Sequence, residues 1–129
     1  MDITRFKNNR QYYNDSYVVA TEIILSIKGT PELNLHIDEV YFDDMLAFAP
    51  MGGSDWKGFT RDFHEGKSAW ECFGDNKADI SDIDEYLTDI LYYTDKLTKY
   101  EETTEVFDLI VDFLTYAKQT GQTVVVEVS

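Results

Sequence analysis

The chain has one cysteine, two prolines, two histidines and only eleven basic residues in 129 positions, and each shortage closes off a class of protein. A lone Cys72 cannot form an internal disulfide, so the fold must be held by packing alone. Two histidines and one thiol leave no set of four Cys and His ligands for a structural zinc, and no cofactor or metal is expected. Apolar runs break within about five residues, far short of the roughly 20 that a membrane-spanning helix needs. The first ten residues have no continuous apolar stretch followed by a small-residue cleavage site, so a cytoplasmic protein without a signal peptide is expected. Eleven basic residues face 25 acidic ones, for a formal net charge of −14, and that sign disfavours direct contact with nucleic-acid phosphates.

What is present suits a single packed domain over 1–129. The chain is 43% hydrophobic and 15% aromatic, too rich in apolar and ring residues for a disordered acidic tail. Arg5, Lys7 and Arg10 form the one basic cluster, and residues 1–14 read as a loose N-terminal arm.

From Tyr17 to Lys28, residues Tyr17, Val19, Thr21, Ile23, Leu25 and Ile27 alternate on one face and half the segment is β-branched, which indicates a strand. A helix with the face Ala20, Ile23, Ile24 and Ile27 is the competing reading. Beyond a four-residue connection at Gly29–Glu32, Leu33, Leu35 and Ile37 alternate with polar residues loosely as far as Tyr41, the pattern of a hairpin's second arm. Residues 46–50 read as a short strand and 51–55 as a loop. Aromatic residues around Gly58, Gly66 and Gly74 suggest further short strands, over 56–59 and 68–73.

The last third is more regular. Ile83, Tyr86, Leu87, Ile90, Leu91 and Leu97 recur at helical spacing behind Ser81, predicting a helix over about 82–99. Val106, Phe107, Ile110, Phe113, Leu114 and Ala117 predict a second over about 104–120, ended by Gly121 and packed antiparallel on the first. The valine run in 123–128 predicts a closing strand set between other strands. The expected architecture is therefore α+β: N-terminal antiparallel strands in hairpins or a meander, an antiparallel helix pair and a C-terminal strand.

Catalytic motifs are lacking. Cys72 with His64 or His36 matches no nucleophile spacing, and a thiol between Trp70 and Phe73 reads as a packing residue. The oxygen-rich stretch from Asp75 to Glu85 fails as a calcium loop, because Lys77 and Ile80 occupy its third and sixth positions. Gly52-Gly53-Ser54 lacks the lysine of a phosphate loop. A protein without catalysis of its own is expected.

The distribution of acid is the remaining signal. Between Asp75 and Asp112 lie twelve acidic and three basic residues, a local net of −9. Asp82, Glu85, Asp89 and Tyr93 fall away from the apolar seam of the first helix, and Glu105, Asp108, Asp112 and Tyr116 away from that of the second. Such a surface reads either as ordinary solvated helix or as a docking face for a basic protein, which carboxylates steer in and tyrosine grips. The candidate contacts are Asp82, Glu85, Asp89, Tyr92, Tyr93 and Glu105, followed by Asp43, Asp44, Asp55 and Trp56.

The stretch Asp89-Ile-Leu-Tyr-Tyr93 resembles the acidic, paired-tyrosine segment with which colicin DNase immunity proteins grip a basic nuclease, without the proline that usually follows it there. The match covers five residues. This chain is longer and strand-containing, so the helical bundle of those proteins is not carried over. A compact, acidic, cysteine-poor domain also resembles the immunity proteins of bacterial polymorphic and contact-dependent growth inhibition toxins. The resemblance implies a cognate basic toxin, of nuclease type, whose active site or substrate groove an acidic face occludes. An acidic adaptor or regulatory protein, or a nucleic-acid mimic that binds a basic protein, is the alternative.

Overall fold

The computed structural model describes residues 3–13, 22–46, 58–60, 77–80, 82–92 and 101–128, without the side chains of 43, 45, 46, 77, 78 and 128. Its elements are a 3-10 turn at Ile3–Phe6, β1 at Asn9–Tyr12, β2 at Glu22–Ile27, β3 at Thr30–Asp38, α1 at Glu39–Leu46, β4 at Lys77–Asp79, α2 at Ile83–Leu91, α3 at Glu101–Gln119 and β5 at Val124–Val128. The five strands form one mixed sheet in the order β1-β3-β2-β5-β4, so the chain is α+β as its patterning predicts.

β2 occupies the middle because Ile23, Leu25 and Ile27 put a continuous β-branched and leucine face toward the core. Opposite them stand Ile37 and Leu35 of β3 on one side and Val126 and Val124 of β5 on the other, all buried. β5 does lie between two strands, pairing antiparallel with β2 and with β4. The connection between β2 and β3 is tighter than its composition suggests. Only Lys28 and Gly29 turn, Gly29 at φ +88, and Thr30–Glu32 already belong to β3. A register shift after Ser26 accommodates the short turn.

α3 lies against this face with Val106, Phe107, Leu109, Ile110, Phe113, Leu114 and Ala117 buried. It ends where expected: Gly121 adopts φ +66, its N–H donates to the Lys118 carbonyl and the Gln122 N–H to that of Ala117. These paired bonds satisfy carbonyls that a helix end otherwise leaves open. The start of α2 sits beside the end of α3, joined by the Asp84–Lys118 ion pair, which is the antiparallel arrangement. Of the apolar seam proposed for α2, Tyr86 and Ile90 are buried, whereas Leu91 is 48% exposed.

Three expectations give way. The N-terminal segment is docked: Phe6 is fully buried with its ring edge-on to Phe113 at 5.2 Å, and β1 pairs parallel, not antiparallel, with β3. Strand alternation ends at Asp38, whose carboxylate accepts the Val40 N–H and starts α1, so Tyr41 and Leu46 are helical. Gly58 and Phe59, expected within a strand over 56–59, are helical too, as is Thr60. The expected strand over 68–73, the loop at 51–55, the end of the first helix beyond 92, Cys72 and His64 lie outside the described residues.

Candidate acidic docking face

The acidic groups of α2 all have partners within the chain, Asp82 and Asp84 while remaining exposed. Asp82 caps the helix, accepting the Glu85 N–H at 3.2 Å, and Asp84 pairs with Lys118 at 2.5 Å. Glu85 Oε1 accepts the Gly58 N–H at 3.0 Å. Asp89 accepts twice from Thr60, from its N–H at 2.9 Å and its hydroxyl at 2.7 Å. Gly58 and Thr60 thus find acceptors for their N–H groups in α2. The approach is close enough that a Cβ on Gly58, at φ +56, would lie 3.0 Å from Asp89 Cβ and 3.1 Å from Tyr86 Cα. Phe59 stands edge-on to Tyr86 at 4.9 Å and completes the joint.

Asp44 is withdrawn from solvent, which corrects its placement on a docking face. It is 4% exposed and accepts the hydroxyl of Thr103, itself fully buried, at 2.5 Å, tying α1 to the first turn of α3. Asp43 falls on α1, while Asp55, Trp56 and Tyr93 lie outside the described residues. Tyr92 follows α2 and is 53% exposed beside Leu91.

Exposed carboxylates gather instead on α3. Glu101, Glu105, Asp108 and Asp112 recur at i, i+4, i+7 and i+11, one stripe opposite the buried face and about 16 Å long at 1.5 Å per residue. The N-terminal segment borders it. Arg5 Nη1 pairs with Asp112 Oδ2 at 2.7 Å, and the Tyr12 hydroxyl donates to Glu105 Oε2 at 3.1 Å. Partial burial, the bond to Glu105 and that carboxylate's charge raise the Tyr12 phenol above its ordinary pKa of 10.0, with Arg5 opposing. Tyr41 stands edge-on to Tyr12 at 6.1 Å. Glu101 and Asp108 are exposed, and no basic residue among the described ones pairs with them.

Of the ten sequence-proposed contacts, the structure therefore places Glu105 on this stripe, Tyr92 exposed elsewhere, Asp82, Glu85 and Asp89 in caps and joints, and Asp44 inside. The contribution of Tyr12 was missed because the partner of Glu105 lies 93 residues away in the chain. The part from Glu105 to Asp112 was visible in the helical spacing, whereas Glu101 preceded the helix expected over about 104–120, which in the structure begins three residues earlier.

Chemically the face offers negative charge with one phenol at its edge. Among the described residues no group of three or more His, Cys, Asp or Glu converges as metal ligands, and no helix is long and apolar enough to cross a membrane. Comparison with family models, with curated proteins and with solved structures returns no match for this chain.

Proposed function

We propose that this protein is an immunity protein that binds a cognate basic toxin, of nuclease type, in the bacterial cytoplasm and blocks its substrate groove without catalysis of its own. The observation that carries the reading is the α3 stripe, where Glu101, Glu105 and Asp108 stand exposed and in line with Tyr12 at their border. Aligned carboxylates raise the encounter rate with a cationic surface and present to it charges that substitute for phosphates. An aromatic residue already held by a hydrogen bond adds contact area at small entropic cost.

The test is bacterial growth when the C-terminal region encoded by the adjacent upstream gene is expressed with and without this chain. Arrest relieved only by co-expression supports immunity. A harmless neighbour, or one that still kills in the presence of the chain, removes it. The triple variant E101Q/E105Q/D108N is then expected to stay folded, with a Tm lowered by no more than the weakened Tyr12–Glu105 bond, to bind the toxin with a slower, less salt-dependent association, and to protect poorly. Full protection by that variant would exclude the α3 stripe as the docking face.

A further inference from the structure

The sheet face turned away from the core carries a separate ionisable cluster. Glu22 opens β2, His36 stands on β3 opposite Ile24, and Arg10 lies on β1. A single oxygen, Glu22 Oε1, faces His36 Nδ1 and is 3.8 Å from Arg10 Nη1. The same guanidinium nitrogen is 3.2 Å from His36 Nδ1. The Glu22 and His36 side chains are 12% and 16% exposed, that of Arg10 53%. Three successive strands, β1, β3 and β2, therefore meet at one imidazole nitrogen.

That nitrogen cannot serve both neighbours. With a proton it donates to Glu22 and has nothing to offer the Arg10 donor; without one it accepts from Arg10 but turns a lone pair on the carboxylate. A neutral ring can take either tautomer. An imidazolium has protons on both nitrogens, so it keeps Glu22 and sets a second positive charge against the guanidinium. Arg10 is the partner free to move, being half exposed and having the Tyr13 ring 5.5 Å from its Cζ as an alternative seat. The other carboxylates on this face among the described residues are Asp38 opposite Glu22, Glu127 opposite Ile24, Glu32 farther along β3, and Asp79 paired with Lys28. None of them pairs with Arg10 or His36.

We infer that His36 is a proton-operated coupler of the edge strand: protonation fixes the ring on Glu22, releases Arg10 and loosens β1. β1 also carries Tyr12 to Glu105, so acid would soften the border of the α3 face. The inference holds whether or not that face binds a toxin.

Solution NMR of the whole chain between pH 5 and 8.5 tests it. The Arg10 Nε–H resonance is expected to shift in a step with the same midpoint as the His36 Cε1–H signal. Its exchange with water, corrected for intrinsic pH dependence, should be several-fold faster on the acid side. In H36Q, which can donate or accept without titrating, the step should vanish. An Arg10 signal that stays flat across the His36 midpoint overturns the inference, as does a step that persists in H36Q. If H36Q does not fold, the wild-type comparison of the two midpoints still decides.

Discussion

Asp89→Ala separates folding from binding on the acidic surface most sharply. In the native chain the Asp89 carboxylate accepts two hydrogen bonds from Thr60, which is 1% exposed. A hydrogen bond to a charged group contributes about 1.5–3 kcal/mol. The abandoned N–H and hydroxyl are then buried without their acceptor, at about 1–3 kcal/mol. These two descriptions overlap, and the combined loss should be about 2–3 kcal/mol. For a domain of this size that lowers Tm by about 10 °C. Urea unfolding followed by circular dichroism, with a thermal scan, measures it. Asp89→Asn keeps one acceptor oxygen and should recover part of the loss, while Asp108→Ala on the exposed stripe should stay within about 0.5 kcal/mol of wild type. An Asp89→Ala protein whose Tm falls by less than about 2 °C would refute the assignment of Asp89 to the joint with residues 58–60.

Gly58→Ala should destabilise by about 1–3 kcal/mol, because an alanine at φ +56 is strained and its Cβ meets the α2 backbone; a denaturation midpoint equal to wild type would contradict that packing. Phe6→Ala should cost about 3–5 kcal/mol, a core penalty from a residue six positions into the chain. A loose arm would instead tolerate it, as the same denaturation curves would reveal. Tyr12 holds its proton more tightly folded than unfolded, so its contribution is complete below the unfolded pKa near 10 and declines as pH rises through the higher folded value. Tyr12→Phe should therefore flatten the alkaline fall in stability, measured as denaturation midpoints across that range, and an unchanged alkaline limb would count against the Tyr12–Glu105 bond.

Periodicity reached the elements whose burial depends on their own residues. Ile23, Leu25 and Ile27 alternate and are buried; Val106 through Ala117 follow helical spacing and are buried; the Val124–Val126 run sits inside the sheet. It did not reach elements defined by distant partners. β1, Asn9-Arg-Gln-Tyr12, has no apolar alternation of its own and joins the sheet through β3 and the anchor at Phe6. Val40-Tyr-Phe continues the strand pattern of β3 in composition, and only the Asp38 bond to the Val40 N–H marks the switch to helix. On α2 the same limitation governed the candidate site. Glu85 and Asp89 fall on a polar face by spacing, yet their acceptor roles depend on donors 27 and 29 residues away.

Among the described residues, two groups of carboxylates differ in their physics. Asp38, Asp82 and Asp89 meet backbone N–H groups at helical stretches, where negative charge is favoured, and Asp44 anchors the first turn of α3 through Thr103. Of these groups Asp44 is buried, Asp38 and Asp89 are partly buried and Asp82 is exposed. Glu101 opens α3, Glu105 accepts the Tyr12 hydroxyl and Asp108 lies in mid-helix; all three are exposed and span about 10 Å of the α3 axis. At physiological ionic strength screening acts over about 8 Å, so the three reinforce one another at contact range while losing long-range pull as salt rises. Substitutions at Glu85 and Asp89 of α2 should therefore affect a partner only in proportion to the stability they remove, whereas substitutions at Glu101 and Asp108 on the stripe should change association rate and its salt dependence at nearly constant Tm. Measuring both observables on the same variants distinguishes a docking face from an ordinary solvated helix, because a solvated helix would move neither.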